Sequence, residues 1–119
     1  MKIDFDKMEG LVPAVVQDAE SGELLMVGFM NPAALDTTLR TGLVTFYSRT
    51  RQCQWTKGET SGNYLQVVKA WTDCDQDAVL FKVHVRGEGK VCHTGTRSCF
   101  AEELPVGADT ATSPAGARP

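Results

Sequence analysis

The sequence predicts a small α+β fold, mainly β with one or two short helices in a compact single domain. Three observations lead there. Apolar runs of strand length recur between glycine-bearing turns, and one stretch, "NPAALDTTLRTG", carries helix signals at both ends. The chain has 119 residues, enough for one modest core. Apolar residues make up 42% and charged residues 23%, ordinary proportions for a globular domain.

Taken in order, "LVPAVVQDAESGELLMVGFM" places two apolar runs around "ESGE" and predicts a hairpin with a Ser-Gly turn. The helix follows, with Asn31 as N-cap, Pro32 at the first helical position and Gly42 just past the end. "LVTFYSRT" reads as a strand. "RQCQWTKGETSGN" is polar, holds two glycines, and predicts a loop with short extended pieces. Two more strands are expected around 64–71 and 78–86, with Phe81, Val83 and Val85 on one face and Lys82, His84 and Arg86 on the other. Residues 1–106 are expected to form the domain. The small, polar, Pro-bearing stretch 107–119 is expected to be a disordered tail.

Several function classes fall away at this level. A net charge of −3 argues against nucleic-acid or anionic-membrane partners, though it leaves room for a phosphorylated substrate. The N-terminal "MKIDFDKMEG" lacks the apolar core of a signal peptide, and "LLMVGFM" is far short of a membrane span. A cytoplasmic location follows as the expectation, with reduced thiols. Four cysteines (Cys53, Cys74, Cys92, Cys99) then point to metal or catalysis before disulfides.

The stretch "TDCDQDAV" is odd between two strands. Asp is a poor strand former, and extending the alternation of the 78–86 strand backwards would bury Asp73, Asp75 and Asp77. Burying three unpaired carboxylates costs several kcal/mol each, so either the chain turns near Asp75 or a cation sits there. An EF-hand is excluded, because Ala78 stands where the loop needs Gly and His84 where it needs a bidentate Glu. Carboxylate-bound Mg²⁺ and an exposed acidic turn both remain open. In an extended segment, Cys74 would point away from its Asp neighbours.

"CHTGTRSC" places Cys92 and Cys99 in one short segment with His93, a donor set that suits a soft metal such as Zn²⁺ or two buried structural thiols. With Cys74 as a third thiol, one tetrahedral position would stay open for water. The basic stretch "SRTRQCQWTKGETSGN" gathers Arg49, Arg51 and Lys57, with Glu59, Thr60, Ser61 and Asn63 as hydrogen-bonding groups. Arg forks and backbone N–H groups there suit phosphate, and a solvated polar loop is the plainer alternative.

These three segments, in this order and together with "GFMNPAALDTTLRTGLVTFYSR", resemble the phosphoribosyl-AMP cyclohydrolase family of histidine biosynthesis. The resemblance implies hydrolysis of the N1–C6 bond of the adenine ring by a zinc-activated water, the third step of that pathway. It implies Zn²⁺ on Cys74, Cys92 and Cys99, and Mg²⁺ on Asp73, Asp75 and Asp77. It also implies an intertwined homodimer whose zinc site is shared between subunits. Some relatives are fused to a pyrophosphohydrolase domain, which this chain is not expected to carry. His93 is the candidate for proton transfer to N1, with an orienting role as the alternative. Arg49, Arg51, Lys57, Glu59 and Ser61 are the candidate substrate-binding residues. Gln54 departs from the apolar residue expected before Trp55, and Cys53 matches no motif position. Two other readings are a zinc-stabilised binding module and a zinc deaminase; the latter needs H-x-E and P-C-x-x-C, and neither string occurs.

Overall fold

The computed structural model describes residues 2–107. The expected tail therefore lies, except for Gly107, outside the described residues. The chain begins with a single 3-10 turn, Asp6–Met8, and then forms the predicted hairpin from β1 (Val12–Asp18) and β2 (Leu24–Met30). Helix α1 (Pro32–Thr41) starts where the cap signals place it. The Asn31 side chain accepts from the Ala34 N–H at 2.8 Å, and Gly42 closes the far end in the left-handed region.

Strand β3 (Thr45–Ser48) pairs antiparallel with β4 (Cys53–Thr56), which is one of the short extended pieces expected in the polar stretch. Pairing of Thr45 with Thr56, whose hydroxyls lie 3.0 Å apart, and burial of Phe46 beside Trp55 hold this ribbon. Strands β5 (Leu65–Thr72) and β6 (Val79–Val85) complete the main sheet in the order β2-β1-β6-β5. Its central pair, β1 and β6, is parallel, a long-range pairing that no turn signal announces.

One face of this sheet carries the core. Val12, Ala14 and Val16 of β1, Phe81 and Val83 of β6, and Leu25 and Met30 of β2 are buried. Helix α1 and the β3–β4 ribbon cover them with Ala34, Leu35, Val44 and Phe46. The ribbon comes very close: a Cβ on Gly28 would lie 2.5 Å from the Phe46 ring. The expected alternation on β6 is present, with Phe81 and Val83 inside and His84 exposed.

The opposite face is apolar as well. Val27, Val15, Leu80 and Trp71 fall in register across all four strands, and Val27 and Trp71 remain 44% and 45% exposed. No helix of the described residues is long and apolar enough to cross a membrane.

Candidate active site

The thiol loop follows β6 and is closed by its own backbone. Cys92 N–H donates to the Thr96 carbonyl at 3.0 Å and Gly95 N–H to the Cys92 carbonyl at 2.9 Å. The Thr94 hydroxyl then donates to Cys92 Sγ at 3.1 Å. That bond, aided by Thr94 N–H, favours the thiolate and lowers the Cys92 pKa to about 6. Burial and the neighbouring Cys92 push the Cys99 thiol the other way. His93 is exposed, with Nδ1 4.0 Å from Cys92 Sγ.

Cys92 and His93 line a cavity of about 410 Å³ together with Lys57, Glu59 and Ser61. Lys57 Nζ lies 5.8 Å above the Trp55 ring. Gly58 is in the left-handed region, and a Cβ there would strike the Asn63–Tyr64 backbone at 2.6 Å, so the loop closes this tightly only with glycine. Glu59 and Ser61 shape the loop itself. Glu59 Oε1 accepts from Thr56 N–H at 2.6 Å, and Ser61 Oγ accepts from Asn63 N–H at 3.1 Å. Buried Asn63 ties the loop to the turn after β6 by accepting from Glu88 N–H at 2.7 Å.

The three cations of the basic stretch do not form one patch. Arg49 and Arg51 sit at the tip of the β3–β4 ribbon, beyond the Ser48–Cys53 pair, and Lys57 follows the Thr45–Thr56 pair at its base. Three residue steps at about 3.3 Å each separate those pairs by about 10 Å. The Arg49 guanidinium stacks 5.5 Å from the Phe29 ring and lines a separate cavity of about 290 Å³ with Tyr47, Asn31 and Glu9.

The acidic stretch is a turn, as one of the two expectations required. Asp73 Oδ1 accepts from the N–H groups of Asp77 and Ala78 at 3.0 and 3.2 Å, and Gln76 takes a positive φ of 63°. This brings carboxylate oxygens of Asp73, Asp75 and Asp77 within 4.8 Å of one another. Lys7 Nζ reaches Asp75 at 3.2 Å and Asp77 at 3.4 Å. Hydrogen bonding toward Asp77 and then Lys7 holds Asp75 below the usual carboxylate range, whereas Asp75, burial and Asp73 push Asp77 above it against the pull of Lys7. Cys74 does not point away from its neighbours, because the backbone turns there; its Sγ is exposed, 4.0 Å from Asp75 Oδ1.

The chain does not bring Cys74 to the other two thiols. The acidic turn precedes Val79 of β6, whereas Cys92 follows the other end of that strand. Cys99 docks across the sheet on β2, its N–H donating to the Leu25 carbonyl at 2.7 Å. Strand rise and spacing put Cys74 on the order of 15 Å from the Cys92–Cys99 pair, far beyond the roughly 4 Å between sulfurs that share one zinc.

Reading the sequence alone misses Thr94, Arg97 and Asp18. Thr94 carries a faint signal, a hydroxyl two residues past a thiol. Arg97 and Asp18 carry none, since they meet across 79 positions.

The sequence model for phosphoribosyl-AMP cyclohydrolase matches residues 26–101. The phosphoribosyl-AMP cyclohydrolase of Geotalea daltonii is 57% identical over 100 residues, covering 84% of this chain and 79% of the relative. That of Citrifermentans bemidjiense is 55% identical over 108 residues, covering 91% and 86%. The histidine biosynthesis bifunctional protein HisIE of Bacteroides thetaiotaomicron is 55% identical over 108 residues, and the chain spans about half of its length, 52%. Matched over more than half of its length and at this identity to single-function relatives, the chain belongs to the phosphoribosyl-AMP cyclohydrolase family.

Proposed function

We propose that this chain opens the adenine ring of 1-(5-phosphoribosyl)-AMP by hydrolysis, the third step of histidine biosynthesis, and that residues 1–106 form the domain that does so. One observation carries this reading: a single cavity joins Cys92 and His93 to the Lys57 loop. Family membership supplies the substrate. In the reaction the oxygen of water goes to C6, the N1–C6 bond breaks, and a proton goes to N1.

The donor set suits the two ions of the family. Cys92 favours its thiolate near neutral pH, with Cys99 beside it, which is the chemistry a Zn²⁺ ligand needs. Asp73, Asp75 and Asp77 offer hard oxygens to Mg²⁺, in a place where the Lys7 ammonium already neutralises two of them. Zinc held by the thiols would supply a water whose pKa is about 7. His93 lines the cavity beside Cys92, which supports its assignment as the donor of a proton to N1. Lys57 and the Arg49–Arg51 pair, set apart along the ribbon, suit a ligand with a phosphate at each end. Glu59 and Ser61 act by holding the Lys57 loop in shape.

The partner is a second copy of the chain, in the cytoplasm. Cys74 lies too far from Cys92 and Cys99 to join them within one protomer, so a three-thiolate site takes Cys74 from the other copy. The apolar row Val27, Val15, Leu80 and Trp71, exposed at its two ends and half-buried between them, gives such a dimer a surface to bury.

The test is ring opening of phosphoribosyl-AMP by the purified chain, followed by the absorbance change as the purine is lost. Activity that disappears with a chelator and returns with Zn²⁺ and Mg²⁺ is expected. A metal-replete, folded dimer that leaves the substrate intact sinks the reading. Mixing inactive Cys74→Ala and Cys92→Ala chains should restore part of the activity, through mixed dimers that hold one complete site.

A further inference from the structure

We propose that Arg97 is a positioning residue that sets the spacing of the Cys92–Cys99 thiol pair by latching their loop to the β1–β2 hairpin. Its guanidinium reaches three segments at once. Nη2 donates to Asp18 Oδ1 at 3.0 Å, Nε to Glu23 Oε1 at 3.2 Å, and Nη1 to the Gly89 carbonyl at 3.2 Å. Asp18 is 5% exposed at the end of β1, and its other oxygen accepts from Ser21 N–H at 2.8 Å. A buried carboxylate with a turn on one side and a guanidinium on the other is a rigid anchor, because charge-assisted forks are both strong and directional.

The anchor acts on the thiols through the backbone on either side of Arg97. The Arg97 carbonyl accepts from Val91 N–H at 3.2 Å, which holds the residue before Cys92. On the other side Ser98 Oγ donates to the Leu24 carbonyl at 2.7 Å, and Cys99 N–H to the Leu25 carbonyl at 2.7 Å. Both sulfurs therefore hang from one stitched unit whose only ionic tie to the sheet, among the described residues, is Arg97. Partners one shell out from a metal ligand commonly govern affinity by about 10–100-fold. Lysine at this position can reach one carboxylate but not all three acceptors.

This inference rests on the metal reading of the thiols, so the experiment has one arm with zinc and one without. Zinc affinity is measured by chelator competition on the full-length dimer for wild type, Arg97→Ala, Arg97→Lys and Asp18→Asn. In parallel, phenylarsine oxide, whose arsenic takes two thiolates at fixed spacing, is titrated into the metal-free Cys53→Ser/Cys74→Ser chain with and without each change. Arg97→Ala should weaken both affinities about 10–100-fold, with Arg97→Lys in between. Arg40→Ala, which breaks only the exposed pair with Asp36, should leave both unchanged. Should Arg97→Ala not fold, the Arg97→Lys and Asp18→Asn chains carry the test. Unchanged arsenical affinity in folded latch variants overturns the proposal, whatever zinc does. A wild type that binds no zinc, while arsenical affinity still falls in the variants, upholds the latch and removes the metal reading.

Discussion

The 73–78 turn and the 91–99 loop both present groups suited to a metal ion, yet different forces fold them. In the acidic turn the carboxylates build their own scaffold: Asp73 caps the turn, and the whole motif forms within six residues. From outside, Lys7 reaches two of its carboxylates, the Asp4 N–H donates to the Gln76 carbonyl, and the Thr72 hydroxyl donates to the Ala78 carbonyl. The thiol loop closes locally through Thr94 and Thr96, but Arg97, Ser98 and Cys99 attach it to a hairpin more than seventy residues earlier. A self-built motif is cheap to form and tolerant of its surroundings. A tethered one depends on the fold, and in return the fold can tune it.

The comparison can be broken most directly at Cys92. If Cys92 holds the water-activating ion as proposed, Cys92→Ala should lower ring-opening activity at least about a thousandfold while the chain still folds. Loss of folding without zinc would make the thiol loop a structural element instead. Next, Asp75→Asn with Asp77→Asn should weaken Mg²⁺ binding, read by isothermal titration, about 10–100-fold and leave zinc affinity alone. Coupled loss of both ions would show that the two regions are not independent.

A third test separates local from tertiary tethering by pH. Ser21 N–H and then Arg97 hold the Asp18 carboxyl below its usual range. Its stabilisation is therefore present above the unfolded value of about 3.9 and is lost as pH falls through the depressed folded value. Asp18→Asn should cost roughly 1–3 kcal/mol at neutral pH, with its denaturation curve converging on wild type in acid. The acidic turn should show little such dependence, since Asp75 is shifted down and Asp77 up, with opposite signs. The smallest effect belongs to Thr94. In metal-free protein, Cys92 alkylation should rise with pH around a midpoint near 6, and Thr94→Val should move that midpoint upward. An unmoved midpoint would assign the shift to the backbone N–H.

Where the sequence was legible, the deciding interactions were short in range. Asn31, Pro32 and Gly42 bound the helix because caps act within one turn. The "ESGE" turn and the alternation on β6 are likewise local. The polar stretch holding Cys53 was less legible. Short extended pieces are expected there, but nothing in "CQWT" says which residues pair until Phe46 and Tyr47 stand across from Trp55 and Gln54. The basic residues read as one patch because they are close in sequence, and the ribbon then carries them to opposite ends.

The sequence by itself determined the β-rich class, the helix and the identity of the chemical groups, and narrowed the acidic stretch to a turn or a cation site, through side-chain volume, capping and charge repulsion over a few residues. Only the tertiary structure decided where those groups stand. The parallel β1–β6 pairing places the acidic turn and the thiol loop at opposite ends of one sheet, and the Asp18–Arg97 contact joins positions 79 apart. Pairings of that range depend on how the whole apolar face closes over its core, and no local pattern encodes that.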